Sequence, residues 1–307
     1  MAEFISEIGR KLLTLEQWCI GWARIGISDF LEDPRSAQFS WLRPSTSREI
    51  LADPFGVEED GKLLILAEHL KQGTTKGRLV LIDPHADPPR PSPLLSRPFR
   101  LSYPFVIEDG DQRYVVPEQA ESGTLGFYLL ANNGLDGPAL VIDGLDAIDP
   151  TFLRHEGLWW LFCTRASSGP DGPLFLHFAE NLFGPYRCHP KNPIVTDRRC
   201  ARPAGRIIRL GETLLRPAQD CKESYGAAIV LCEIEKLTTE VYRERPVRRL
   251  EPCDIQGGFR SGLHTLDHTP SHVLLDTKRF VFHPVAAPIK LRSRLRDGWY
   301  STSRTHA

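Results

Sequence analysis

Six carboxylates stand at comparable places in this chain, each opening or closing a short apolar run: Asp53, Glu68, Glu118, Asp149, Asp220 and Asp276. Two such groups held near each other, one protonated and one ionised, can serve as a general acid and a general base. Asp53 and Asp149 share one context, Ala52-Asp53-Pro54-Phe55 and Ile148-Asp149-Pro150-Thr151-Phe152. An aspartate before proline is also ordinary turn chemistry, so a capping role stands beside the catalytic one. Glu118, at the end of an apolar strand in Pro117-Glu118-Gln119, suits a general acid, because partial burial raises a carboxyl pKa. Glu68 holds the equivalent place one unit earlier. Arg202 and Arg216 near Asp220 suit an anionic sugar, phosphate or carboxylate, or else a structural arginine–aspartate network. Tyr103 and Tyr225 can stack or hydrogen-bond at the same place, and His264 can hold a sugar hydroxyl. His264, His268 and His272 are spaced like ligands on a helix, but Pro270 breaks any helix and no metal is expected. No phosphate loop, dinucleotide fingerprint or nucleophile elbow is present, and no cofactor is implied.

What must position these residues is a repeated phrase. It reads ADPFGVEEDGKLLILAEHL at 52–70, SYPFVIEDGDQRYVVPEQA at 102–120 and IDPTFLRHEGLWWLFCTRA at 148–166. It returns as ARPAGRIIRLGETLLRPAQD at 201–220 and, degraded, as GLHTLDHTPSHVLLDTKRF at 262–280. The starts lie 50, 46, 53 and 61 residues apart. Each unit is a hairpin: a proline near the strand start, a charged turn with glycine, and a β-rich return strand ending in polar residues. Five such units predict an all-β fold, a five-bladed β-propeller with the polar ends facing one central cavity.

A chain of 307 residues has room for five blades of about 50 residues, and a net charge of −1 gives no reason to expect nucleic acid. Seven cysteines without a C-x-x-C pair do not form a disulfide framework. No signal peptide and no membrane span is evident, so a cytoplasmic location is expected. Three parts are expected: an extension and blade-closing strand over 1–40, the propeller over 41–290, and a basic tail over 291–307. Residues 2–16 have the spacing of a short amphipathic helix, and 18–27 is the strand expected to close the last blade. Residues 83–98 hold six prolines and read as an extended surface connection.

The Asp-Pro openings of the first and third units resemble the family-43 glycoside hydrolases and their five-bladed relatives. That resemblance implies that Asp53 is the general base and Asp149 the orienting aspartate, with a glutamate acid opening the fourth blade. Here the fourth opening is Arg202 in Ala201-Arg202-Pro203-Ala204-Gly205, and a guanidinium cannot deliver a proton. A second resemblance spans nearly the whole chain. Glu16-Gln17-Trp18-x-x-Gly21, Trp41-Leu42, Ala52–Gly56, Ala201–Gly205, Arg216–Asp220 and Ser224-Tyr225-Gly226 are similar to the N-terminal domain of plant glucosamine inositolphosphorylceramide transferases. It implies a carbohydrate or glycoconjugate ligand. Two functions are therefore expected: a glycosidase with Asp53 as base and Glu118 or Glu68 as acid, or a glycan-binding module that breaks no bond.

Overall fold

The computed structural model describes residues 13–73, 76–131 and 134–292. They form five four-stranded antiparallel sheets, the blades of a propeller. The first blade is β3 (Glu49–Glu59), β4 (Lys62–Lys71), β5 (Arg78–Ile82) and β6 (Pro91–Leu95). The second is β7 (Ser102–Asp109), β8 (Gln112–Glu118), β9 (Thr124–Ala131) and β10 (Gly134–Asp143). The third is β11 (Ala147–His155), β12 (Leu158–Arg165), β13 (Leu174–Ala179) and β14 (Arg187–Cys188). The fourth is β15 (Ile208–Leu210), β16 (Thr213–Asp220), β17 (Ala228–Leu237) and β18 (Tyr242–Leu250).

The fifth blade joins the two halves of the chain. Its order is β19 (Leu266–His268), β20 (Val273–Phe282), β1 (Thr14–Ala23) and β2 (Ser40–Leu42). Ten successive pairs, from Thr14↔Phe282 to Ala23↔Val273, tie β1 to β20. Closing the ring in this way pairs the edge of β20 that would otherwise stay open. The strand expected over 18–27 thus lies mostly in β1, and one short helix, α1 (Ile27–Glu32), follows it. Of the helix expected over 2–16, Leu13 is helical and Thr14 onward is strand, because Leu15, Trp18 and Ile20 bury against their neighbours; residues 2–12 lie outside the described set. Residues 286–292 are helical, and the expected tail lies outside the described set from 293 onward.

The proline-rich stretch contains a strand after all. β6 is the outermost strand of its blade, paired only with β5, so its prolines give up no inner ladder bond. The blades adhere through aliphatic and aromatic side chains between sheets. Phe55, Tyr103, Phe105, Phe127 and Phe152 form one cluster joining the first three blades, each 4% exposed or less. Burying a Phe side chain completely stabilises by roughly 1.5–3 kcal/mol.

Candidate functional site

Each of the first three blades breaks register where its phrase opens. The pairing shifts between Ala52 and Phe55, between Ser102 and Phe105, and between Ile148 and Thr151. The residue before proline at each shift is left-handed: Asp53 at φ 53°, Tyr103 at φ 45° and Asp149 at φ 49°. Such a backbone costs on the order of 1–3 kcal/mol per residue, and most of all for a bulky side chain like Tyr103. The bulge re-aims both the side chain and the N–H. The Asp53 N–H donates to Asp276 Oδ2 of the fifth blade at 2.9 Å, and the Asp149 N–H to Glu118 Oε2 of the second at 3.4 Å. The Tyr103 N–H donates to Asp53 Oδ2 at 3.2 Å. Strain at the blade openings is thus offset by hydrogen bonds between neighbouring blades.

Residues of the second strands lie beside these openings: Glu68, Glu118, Gln219 and Asp276. They divide by what holds them. Glu68 gives both oxygens to Arg100, at 3.1 Å each, and that guanidinium is half exposed. Asp149 accepts Arg202 Nε at 2.6 Å and Nη2 at 3.4 Å, and its Oδ2 also accepts Gln219 Nε2 at 2.9 Å. Arg202 is further fixed by the Pro170 carbonyl and lies over the Tyr225 ring, 5.0 Å from its centroid. Asp276 Oδ1 accepts His264 Nδ1 at 2.7 Å and the N–H groups of His264 and Thr265.

Asp53 and Glu118 stand apart. Asp53 touches no arginine: its Oδ1 accepts the Thr265 hydroxyl at 2.9 Å and lies 3.6 Å from His264 Nε2. Burial pushes its carboxyl up to about 7; His264 pulls the other way, and Glu68, Asp276 and Asp149 add to the rise. Glu118 meets Arg202 only at 3.9 Å. Burial, and next the charge of Asp149, push it up to about 8 against the pull of Arg202 and Arg100. His264 is buried, which favours its neutral form, yet Asp276 and then Asp53 outweigh this and raise its pKa. Trp18 of β1 stacks on the His264 ring at 3.9 Å, with Tyr225 edge-on at 5.3 Å.

Below this ring the channel is filled. Tyr103 is fully buried, and its hydroxyl meets Thr151 Oγ1 at 2.8 Å and accepts the Gly205 N–H at 2.6 Å. Gly205 sits at φ 125°, and a Cβ there would lie 1.8 Å from the Leu266 carbonyl oxygen. Further down, Arg206 spans the axis from Asp267 Oδ1 at 3.0 Å to the Val106 carbonyl at 3.0 Å, while Asp267 Oδ2 accepts the Gly56 N–H.

Of the sequence candidates, Asp53, Glu68, Glu118, Asp149, Arg202, Tyr225 and His264 meet at the mouth. Tyr103 forms its floor, with the hydroxyl engaged by protein. Arg216 and Asp220 lie elsewhere. Arg216 is fully buried in the fourth blade on Glu244 and the Cys200 carbonyl. Asp220 pairs with Arg249. Gln219, not Asp220, reaches the mouth: side chains alternate along a strand, so one residue of offset reverses the direction. Arg100 and Thr265 also belong to the mouth and carry no motif; counting in the phrases misses Gln219, because the seventeenth place held by Glu68 and Glu118 falls on Pro217 in the longer fourth phrase. Asp53, His264 and Asp276 place donor atoms within 4.8 Å of one another and could hold a cation, as could Cys200, Cys232 and Glu244. A cleft of about 740 Å³ between the first two blades lies at the hairpin turns, the far end of the strands from these carboxylates.

Fold and mouth define a class: a five-bladed propeller whose single polar site is built from unlike residues at like positions. Its architecture is similar to that of a thermostable family-43 glycoside hydrolase, with a TM-score of 0.51 and 14% identity over 69% of this chain and 83% of that one. Residues 41–256 match the family model of the N-terminal region of glucosamine inositolphosphorylceramide transferase 1, and the chain belongs to that family. It is 31% identical over 206 residues to the transferase of that name from Oryza sativa subsp. indica, covering 64% of this chain. With the Arabidopsis thaliana protein it shares 32% over 214 residues, 67% of this chain. The match spans 28% of the length of either plant protein.

Proposed function

We propose that this propeller acts on a glycan or glycoconjugate at the channel mouth by glycosidase-like acid–base chemistry. Asp53 is the base that activates water, and Glu118 is the acid that protonates the departing oxygen. Asp149, clamped by Arg202 and Gln219, orients the substrate. The observation that carries this reading is that Glu68 and Asp149 are paired with arginines and Asp276 is taken up by His264 and three backbone N–H groups, while among the described residues no arginine closely grips Asp53 or Glu118. With Asp53 near 7 and Glu118 near 8, an ionised base and a protonated acid coexist around neutral pH, as inversion requires. Glu68 suits the acid's role less well than Glu118, since both its oxygens are already engaged by Arg100. The family's name, which couples an amino sugar to an inositol phospholipid, supports a glycoconjugate ligand.

Arg202 at the fourth opening favours a second reading, a binding module for a glycan or glycolipid head group. Turnover of an aryl-glycoside panel, with binding measured in parallel on a glycan array, separates the two. Hydrolysis that falls about 10²–10⁴-fold in both Asp53→Asn and Glu118→Gln supports catalysis. Saturable binding without turnover in the unaltered protein overturns it in favour of the binding module.

A further inference from the structure

The fourth blade holds a second cluster that the mouth does not use. Cys200 lies in the segment entering that blade, Cys232 lies in β17, and Glu244 lies in β18. The two sulfurs and a Glu244 oxygen all lie within 4.8 Å of one another. Cys232 is fully buried, while Cys200 keeps 8% exposure. Arg216 fills the space beside them with no exposure at all. It gives Nη2 to the Cys200 carbonyl and to Glu244, and Nε to Glu244, whose carboxylate also accepts the Tyr242 hydroxyl. Its Nη1 is buried without any partner. An unpaired guanidinium N–H is costly in a protein interior unless an anion or an oxygen takes it up.

We propose that Cys200 and Cys232 are a nucleophile and its resolving thiol, forming a reversible disulfide under peroxide. The environment separates the roles. Cys200 keeps 8% exposure and is the sulfur that peroxide can reach, whereas Cys232 is fully buried within 4.8 Å of it. The Cys200 thiolate attacks hydrogen peroxide, forming an S–O bond as the O–O bond breaks and hydroxide leaves. The Arg216 N–H can meet the new sulfenic oxygen. Cys232 then gives up its proton and attacks the Cys200 sulfur; the S–S bond forms, the S–O bond breaks and water departs. Two thiols and one peroxide become one disulfide and two waters. Arg202, which grips Asp149, lies two residues beyond Cys200, so the bond fastens the segment that carries it to β17.

The test uses the full chain in a Cys188→Ser/Cys253→Ser background, which removes the two exposed thiols. After peroxide, denaturing alkylation and digestion, the expected product is one Cys200–Cys232 cross-linked peptide, lighter by two hydrogens and reversed by dithiothreitol. The oxidised protein should melt at a higher temperature than the reduced one. With Cys232→Ser added, and folding verified by circular dichroism, a dimedone adduct should accumulate at Cys200. Recovery of both cysteines as alkylated thiols or as sulfonic acids overturns the proposal. So does a tightly bound zinc ion that protects them.

Discussion

Replacing Asp53 by asparagine should make this protein more stable while removing the base it would need to act. The folded state raises this carboxyl from its ordinary value of 3.8 to about 7, chiefly by burial. Between those limits the folded protein keeps a proton that the unfolded chain has already released. Stability from this group is therefore complete below pH 3.8, falls as pH rises, and levels off above pH 7. At about 1.4 kcal/mol per pH unit, the loss across that window is roughly 4 kcal/mol. The side-chain amide of Asp53→Asn would imitate the protonated carboxyl at every pH, and asparagine is among the side chains that tolerate the left-handed backbone at φ 53°. Urea unfolding of both proteins from about pH 4 to about pH 9 should show near-equal stability at the acid end. The variant should gain steadily to an advantage of up to about 4 kcal/mol near pH 8. A difference that does not vary with pH, or one that favours the unaltered protein at the alkaline end, would refute the reasoning. It would mean that His264 and Thr265 hold an ionised Asp53 without penalty.

Three further outcomes follow from the same contacts. Arg202→Ala leaves Asp149 buried with only Gln219, and should cost about 3–5 kcal/mol; Asp149→Asn in the same chain should recover most of this in thermal melts. Gly205→Ala forces a Cβ against the Leu266 carbonyl at a backbone angle that alanine avoids, and a loss of about 3 kcal/mol or more is expected from denaturant midpoints. Tyr103→Phe strands the Gly205 N–H, lowering stability by about 1–3 kcal/mol, while ligand affinity stays unchanged if the tyrosine is floor rather than contact.

The five blades were legible because their signals are local: alternating apolar strands, turn glycines and prolines recur at a fixed interval. The closing strand was legible too, since an apolar run before the first unit has one open edge to fill. Proline misled over 83–98, where an outermost strand tolerates what an inner one does not. At the mouth, repeat position brought Asp53, Glu118, Asp149, Arg202 and His264 together correctly, because equivalent positions in equivalent blades converge on one axis. Direction failed where parity did: Arg216 and Asp220 sit on the mouth strand but point away from it. Arg100 was invisible, because it enters from a connection between blades that belongs to no repeat.

The stopper formed by Tyr103 and Arg206 decides how traffic must run. A propeller axis is often pictured as a tunnel, but here it is a cul-de-sac, crossed once at the Tyr103 hydroxyl and again by Arg206. Whatever reaches Asp53 and Glu118 must arrive and depart by one doorway. Nothing can be threaded along the axis past the carboxyls; a ligand must meet them from the open face of the ring.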